Sequence, residues 1–180
     1  GTGTSGFSGE GVAAAKALTD AQKRSVAESL TGRALGTATA GEASAMPNRC
    51  AATPFADPMS GPSWNGWGNN TSNSRFQPAG AARLSVADVP RLQLKWAFAF
   101  PGGRSAFGQP TVAGGRISVG ADVGFLYALD AGTGCVHWSF LAETGVRNAI
   151  SVAELPGSPA RRVAVFGDIR ANVYAVDATT

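Results

Sequence analysis

Histidine is almost missing from this 180-residue chain, and cysteine is nearly as scarce: there is one His and there are two Cys. A lone His137 cannot supply a histidine metal cluster. With no second cysteine near Cys135, the C-x-x-C-H motif that attaches haem is excluded, and His137 reads as an ordinary strand residue. Cys50 and Cys135 stand 85 positions apart, which rules out a CxxC site and leaves either one long-range disulfide or two unrelated thiols. Two separate thiols are the expectation. No run of 18 apolar residues exists, so no membrane span is expected. Charge of one sign is also lacking: the net charge is +3, and the 12 Arg are scattered from Arg24 to Arg170 without a block. That distribution offers no footprint for nucleic acid.

Glycine and proline are plentiful, 24 and 10 residues, beside an apolar fraction of 44%. This balance favours a turn-rich all-β body over a helical bundle. The chain opens on Gly1 without a basic, apolar-cored leader and closes inside a repeated phrase, so it is expected to be a piece of a longer protein.

Residues 1–12 are rich in Gly, Ser and Thr and are expected to be flexible. One helix is expected over about 18–31: Thr19 and Gln22 have capping-box spacing, Asp20 sits in the first turn, and Gly32 can stop it. Ala21, Val26 and Leu30 form its thin apolar stripe. Residues 34–62 read as a linker, so a first domain covers 1–33 and the main body 63–180. In that body short strands recur about every ten residues: LQLKWAFAF at 92–100, two strands around the Gly114-Gly115 turn, FLYALD, CVHWSF, NAISVAEL, RRVAVFGD and NVYAVD.

YALDAGTGCVHW, at 127–138, recurs in part as YAVDATT from Tyr174. Laying Tyr127 on Tyr174 also matches Ala128 with Ala175, Asp130 with Asp177 and Gly120 with Gly167. In the phrase, the Asp130 carboxylate can accept backbone N–H groups ahead of it, Thr133 adds a hydroxyl, and Gly134 supplies a positive φ. Trp138 offers a large face to a neighbouring repeat. Asp130, Thr133, Gly134, Trp138 and Asp177 are therefore read as structural. A repeat of this length, built of four short strands, points to propeller blades.

The A-x-D-x-x-T-G-x-x-x-W phrase resembles the tryptophan-docking motif of the quinoproteins, eight-bladed β-propeller enzymes that hold pyrroloquinoline quinone (PQQ). WNGWGNNTSNSRFQPAG (64–80), LKWAFAFPGG, QPTVAGG and GVRNAISV make the chain look like the opening of the polyvinyl-alcohol dehydrogenases of cytochrome type. LTDAQKRSVAESLTGR resembles the closing helix of the c-type cytochrome domain that precedes their propeller. The resemblance implies an all-β, incomplete propeller behind a helical remnant of that domain. It implies PQQ-dependent oxidation of a secondary alcohol, with PQQ, calcium and haem c in the full-length protein and electrons passing to a cytochrome c. It further implies a periplasmic location; the incomplete ring, for its part, is expected to leave the isolated piece without activity.

PQQ is a planar tricarboxylate that requires cations and a flat apolar face. By resemblance Arg147 stands where related enzymes place a cofactor-binding arginine, and Asn148 and Ser151 join it as neutral donors. The alternative for Arg147 is a blade-corner residue paired with Glu143 or a backbone carbonyl. Arg104, Ser105 and Gln109, on the loop 102–110, are further candidates facing a central pocket. The chain departs from alcohol-oxidising relatives in carrying Phe107 where they have a glutamate, and Asn148-Ala149 where some carry adjacent cysteines. The catalytic aspartate and the metal ligands are expected beyond Thr180. Asp168 reads as a strand-end cap, Met46 as a linker residue, and Trp64 and Trp67 as ring-closing aromatics. The alternative function is a non-catalytic propeller acting as a protein-interaction scaffold.

Overall fold

The computed structural model describes residues 18–31, 41–58, 60–157 and 161–180, with residues 27, 28, 30 and 31 by backbone alone. The proposed stop at Gly32, the expected flexible stretch 1–12 and the first part of the expected linker lie outside these residues. The chain divides into two compact units, Gly1–Thr39 and Ala40–Thr180.

The first unit contributes helix α1, Asp20–Thr31. Its start is set by the reciprocal cap legible in the sequence: Gln22 N–H donates to Thr19 Oγ1 at 3.3 Å, and Thr19 N–H donates to Gln22 Oε1 at 2.9 Å. The Ala21 and Val26 side chains of the expected apolar stripe are exposed.

The second unit is mostly β. Strands β1 (Thr111–Ala113), β2 (Arg116–Gly120), β3 (Phe125–Asp130) and β4 (Val136–Leu141) form one antiparallel meander. Strands β5 (Ser151–Leu155), β6 (Arg161–Gly167) and β7 (Val173–Asp177) form a second. Gly114 and Gly115, with φ of +57° and +76°, close the two-residue β1–β2 hairpin that the Gly-Gly pair calls for. The register repeats as well: Val119 faces Tyr127 in the first sheet and Phe166 faces Tyr174 in the second, each 47 positions on.

FLYALD reads as one apolar run because both faces of β3 are covered. Successive side chains alternate, so Leu126 and Ala128 join Trp138, Ile150, Val152 and Phe166 in one core. Phe125, Tyr127 and Leu129 join Val119, Val136 and Trp96 in another. Met46 packs on that second core.

Of residues 41–58, expected as linker, 43–50 lie along the outer edge of the first sheet and 55–58 pack against the β1–β2 turn. Cys50 N–H donates to the Val136 carbonyl and Val136 N–H to the Asn48 carbonyl, both at 2.9 Å, and Phe55 is buried in the core. Gly41 approaches the Phe125 ring so closely that a Cβ there would come within 2.4 Å of it. Cys50 and Cys135 are joined in a disulfide, which corrects the expectation of two separate thiols. The pairing is set by backbone bonds between residues 48–50 and β4, and the spacing of cysteines along the chain does not reveal these. The expected strand at 92–100 is not formed among the described residues: it has no ladder partner, and a strand needs one because it cannot satisfy its own N–H and C=O groups. No described helix is long and apolar enough to cross a membrane.

Candidate functional site

The repeated phrase forms two turns of the same design. Asp130 Oδ1 accepts N–H bonds from Gly132 at 3.0 Å and Thr133 at 2.7 Å, and the Thr133 hydroxyl at 2.8 Å. The Thr133 hydroxyl is the leading cause holding the Asp130 carboxyl below its ordinary range. Asp177 Oδ1 accepts the Thr179 N–H at 2.7 Å and also the Thr179 hydroxyl, with the same direction of shift. Both carboxylates are spent inside their turns, which leaves them unsuited to proton transfer.

Each turn also receives a tryptophan. Trp138 Nε1–H donates to the Ala178 carbonyl at 3.1 Å, and Trp96 Nε1–H donates to the Ala131 carbonyl at 3.2 Å. Ala178 follows Asp177 as Ala131 follows Asp130, so the two contacts are repeats of one another. Gly134, at φ +74°, is required twice: for its backbone and because a Cβ would come within 2.6 Å of the Trp96 ring. Trp96 was legible only as part of an alternating run, and its docking role was missed. The matching signal was the second Trp of a repeat, 42 positions before Trp138.

Of the cofactor candidates, the structure brings together Arg147 and Asn148. With Trp67, Gly167, Asp168 and Ile169 they line a groove of about 220 Å³. Arg147 stacks its guanidinium 4.5 Å over the Phe107 ring. The contact is between corresponding places, because Phe107 stands four residues before β1 and Arg147 four residues before β5. Glu143 does not pair with Arg147; it bonds Asn172 at 2.8 Å and Arg170 at 3.4 Å. Asn148, oriented to satisfy its neighbours, donates to the Gly167 carbonyl at 3.0 Å and accepts the Gly167 N–H at 2.8 Å. Its amide thereby fastens the end of β6 to the loop before β5.

The remaining candidates stand apart from the groove. Ser151 is exposed at the start of β5, and Gln109 is half-buried. Arg104 is exposed, and its backbone N–H donates to Asp122 at 3.2 Å. The loop 102–110 does reach the groove-forming segment, but through Phe107 and Gly108. A Cβ at Gly108 would stand 2.8 Å from the Asn148 carbonyl.

Asp168 is a turn cap. It accepts N–H bonds from Arg170 and Asn172 at 2.9 and 3.1 Å, and side-chain bonds from Asn172 and Tyr174 at 2.9 and 2.8 Å. These donors outweigh desolvation and hold its carboxyl below the ordinary range.

A larger cleft, about 640 Å³, opens beside β4 and reaches Arg116 and His137. The Arg116 guanidinium is already engaged with the carbonyls of Ala178 at 2.9 Å and Thr179 at 3.0 Å, above the Phe55 ring at 4.4 Å. Burial, then the neighbouring Arg116 charge, pushes the His137 imidazole below its ordinary value against a weaker pull from Asp130. The cleft therefore offers a neutral imidazole and a committed cation. Among the described residues no group of three or more His, Cys, Asp or Glu is placed to hold a metal.

Over 92% of its length the chain is 38% identical to a polyvinylalcohol dehydrogenase of Pseudomonas sp., and it spans 27% of that protein. Over 65% of its length it is 45% identical to a polyvinylalcohol dehydrogenase of Sphingopyxis sp. (strain 113P3), of which it spans 17%. The chain thus covers about a quarter or less of the relatives it matches. No family model and no solved structure matches it.

Proposed function

This chain is a relative of the polyvinylalcohol dehydrogenases, similar to one of them over 92% of its length, and on that footing we propose that it forms the first blades of a PQQ-dependent enzyme oxidising secondary alcohols. The observation that carries the reading is Arg147: a cation with no carboxylate partner among the described residues, stacked on Phe107 and lining one groove together with the half-exposed indole of Trp67. A guanidinium beside an aromatic wall suits one carboxylate edge of a planar quinone. Asp168, anionic in the same groove, does not, so the other carboxylates must be met by the rest of the protein. Asn148 contributes by holding the groove's floor. Ser151, Arg104 and Gln109 remain candidates only for contacts beyond it.

PQQ, when bound, supplies the two-electron redox chemistry. The residues of this chain supply position and charge: Arg147, backed by the Phe107 ring, orients a carboxylate, Trp67 offers an aromatic wall, and the Asp130 and Asp177 turns keep the strands in register. The substrate alcohol, calcium, the catalytic base and the haem c that accepts electrons belong to the complete enzyme, and the 180 residues alone do not turn over. The repeated registers and the paired tryptophan contacts support a ring of blades. Trp96, docking as Trp138 does, supports residues 92–100 as the outer strand of a further blade whose other strands lie elsewhere. Helix α1 is read as the closing helix of a cytochrome c domain. The half-exposed disulfide supports a periplasmic location.

The test is an equilibrium titration of the gene's complete product with PQQ, followed by indole fluorescence. Binding weakened about tenfold or more by Arg147→Ala is the expected result. Saturable binding that Arg147→Ala leaves unchanged would remove Arg147 from the site. Absence of binding would favour a non-catalytic scaffold.

A further inference from the structure

The segment Trp64–Trp67 is bound to both sheets at edges their own strands leave open. β1 and β5 each pair on one side only, with β2 and β6. On the other side of β1, Trp64 and Val112 exchange both backbone bonds at 2.8 Å. On the other side of β5 a side chain takes the place of a strand: Asn65 Nδ2 donates to the Val152 carbonyl, and its Oδ1 accepts the Val152 N–H, both at 2.7 Å. A planar amide offers one donor and one acceptor at the spacing a neighbouring peptide would give. Aspartate has no donor and leucine has neither group. Gly66, at φ +127°, then turns the chain past Ser151, whose hydroxyl lies 3.9 Å from where a Cβ would stand, and Trp67 follows into the groove that Arg147 also lines.

We propose that Asn65 is a positioning residue that, by clamping Val152, fixes the segment 147–151 and so aims Arg147 at its ligand. The inference rests on the reading of Arg147 as a PQQ contact. Both side-chain hydrogen bonds of Asn65 go to backbone, and it needs no contact with the cofactor. Its two bonds cross 87 positions of sequence, so no local structure substitutes for them.

The experiment compares the gene's complete product with its Asn65→Asp and Asn65→Leu variants. Val119→Ala, a core change on the opposite face of the first sheet, serves as the control for mere loss of stability. Amide exchange of residues 147–152 and the PQQ dissociation constant are measured for each. Both Asn65 variants are expected to speed that exchange and to weaken PQQ binding by about tenfold or more, with Val119→Ala changing neither. Faster exchange with unchanged PQQ affinity would overturn the proposal, and so would unchanged exchange. If the unsubstituted protein binds no PQQ, the underlying functional reading fails and this inference with it, an outcome visible before any variant is compared.

Discussion

The indole N–H of Trp138, on the last strand of the first sheet, donates to the carbonyl of Ala178 just after the last strand of the second. That bond ties one repeat to the next, and Trp138 is buried among side chains of both sheets. Trp138→Phe keeps an aromatic ring but removes the donor and part of the packing. It is expected to cost about 1–2 kcal/mol, read as a lower urea midpoint at unchanged slope. The penalty stays at the low end because Arg116 also donates to that carbonyl, at 2.9 Å. No loss at all would show that the contact is incidental.

The Cys50–Cys135 bond closes a long loop and pins residues 48–50 along β4. Its reduction is expected to destabilise the second unit by about 2–4 kcal/mol. Denaturant melts with and without a dithiol reductant, compared with a Cys50→Ser/Cys135→Ser variant, check this. Coincident curves would contradict it.

Ala171 sits at φ +64° in the β6–β7 turn, where the first sheet has Gly124 at φ +97°. The two turns carry matching backbone bonds, Ala171 N–H to the Asp168 carbonyl and Gly124 N–H to the Ala121 carbonyl, each at 3.1 Å. A Cβ is strained in that conformation, so Ala171→Gly is expected to raise stability by up to about 1 kcal/mol despite its entropic cost. A lower thermal midpoint in the glycine variant would argue against the matched turns.

His137 has a folded-state pKa below its ordinary 6.5. The unfolded chain therefore binds the proton more readily, and stability is lost as pH falls below about 6.5 towards the folded value. The lowered carboxyls of Asp130 and Asp177 act in a separate window, giving stability above their ordinary 3.8 that is lost in stronger acid. Chemical denaturation between pH 7 and pH 5 is expected to show a decline that His137→Gln flattens. An unchanged slope in the variant would assign the decline to another group.

Much of the second unit was legible because its signals are local. Gly114-Gly115 fixes a hairpin and the two Asp-containing phrases fix their turns; in the first unit, likewise, Thr19 with Gln22 fixes the start of α1. What escaped were contacts made across long separations. The 41–58 stretch has linker composition, yet it borrows the edge of β4 and buries Phe55. Trp96 lies in a run that lacks a ladder partner, and it is recognisable as a docking residue only when set beside Trp138. Arg147 and Asn148 were named only through the family resemblance, and the structure puts both at one groove. Asn65 and Trp67 reach it from about 80 positions upstream, a distance that periodicity and spacing do not bridge.

The most direct measurement is dye-linked oxidation of a secondary alcohol polymer by the gene's complete product, assayed with and without added PQQ and calcium. The account predicts oxidation that depends on PQQ and falls about tenfold or more in Arg147→Ala. Oxidation that proceeds equally well without the quinone, or none under any of these conditions, would contradict it.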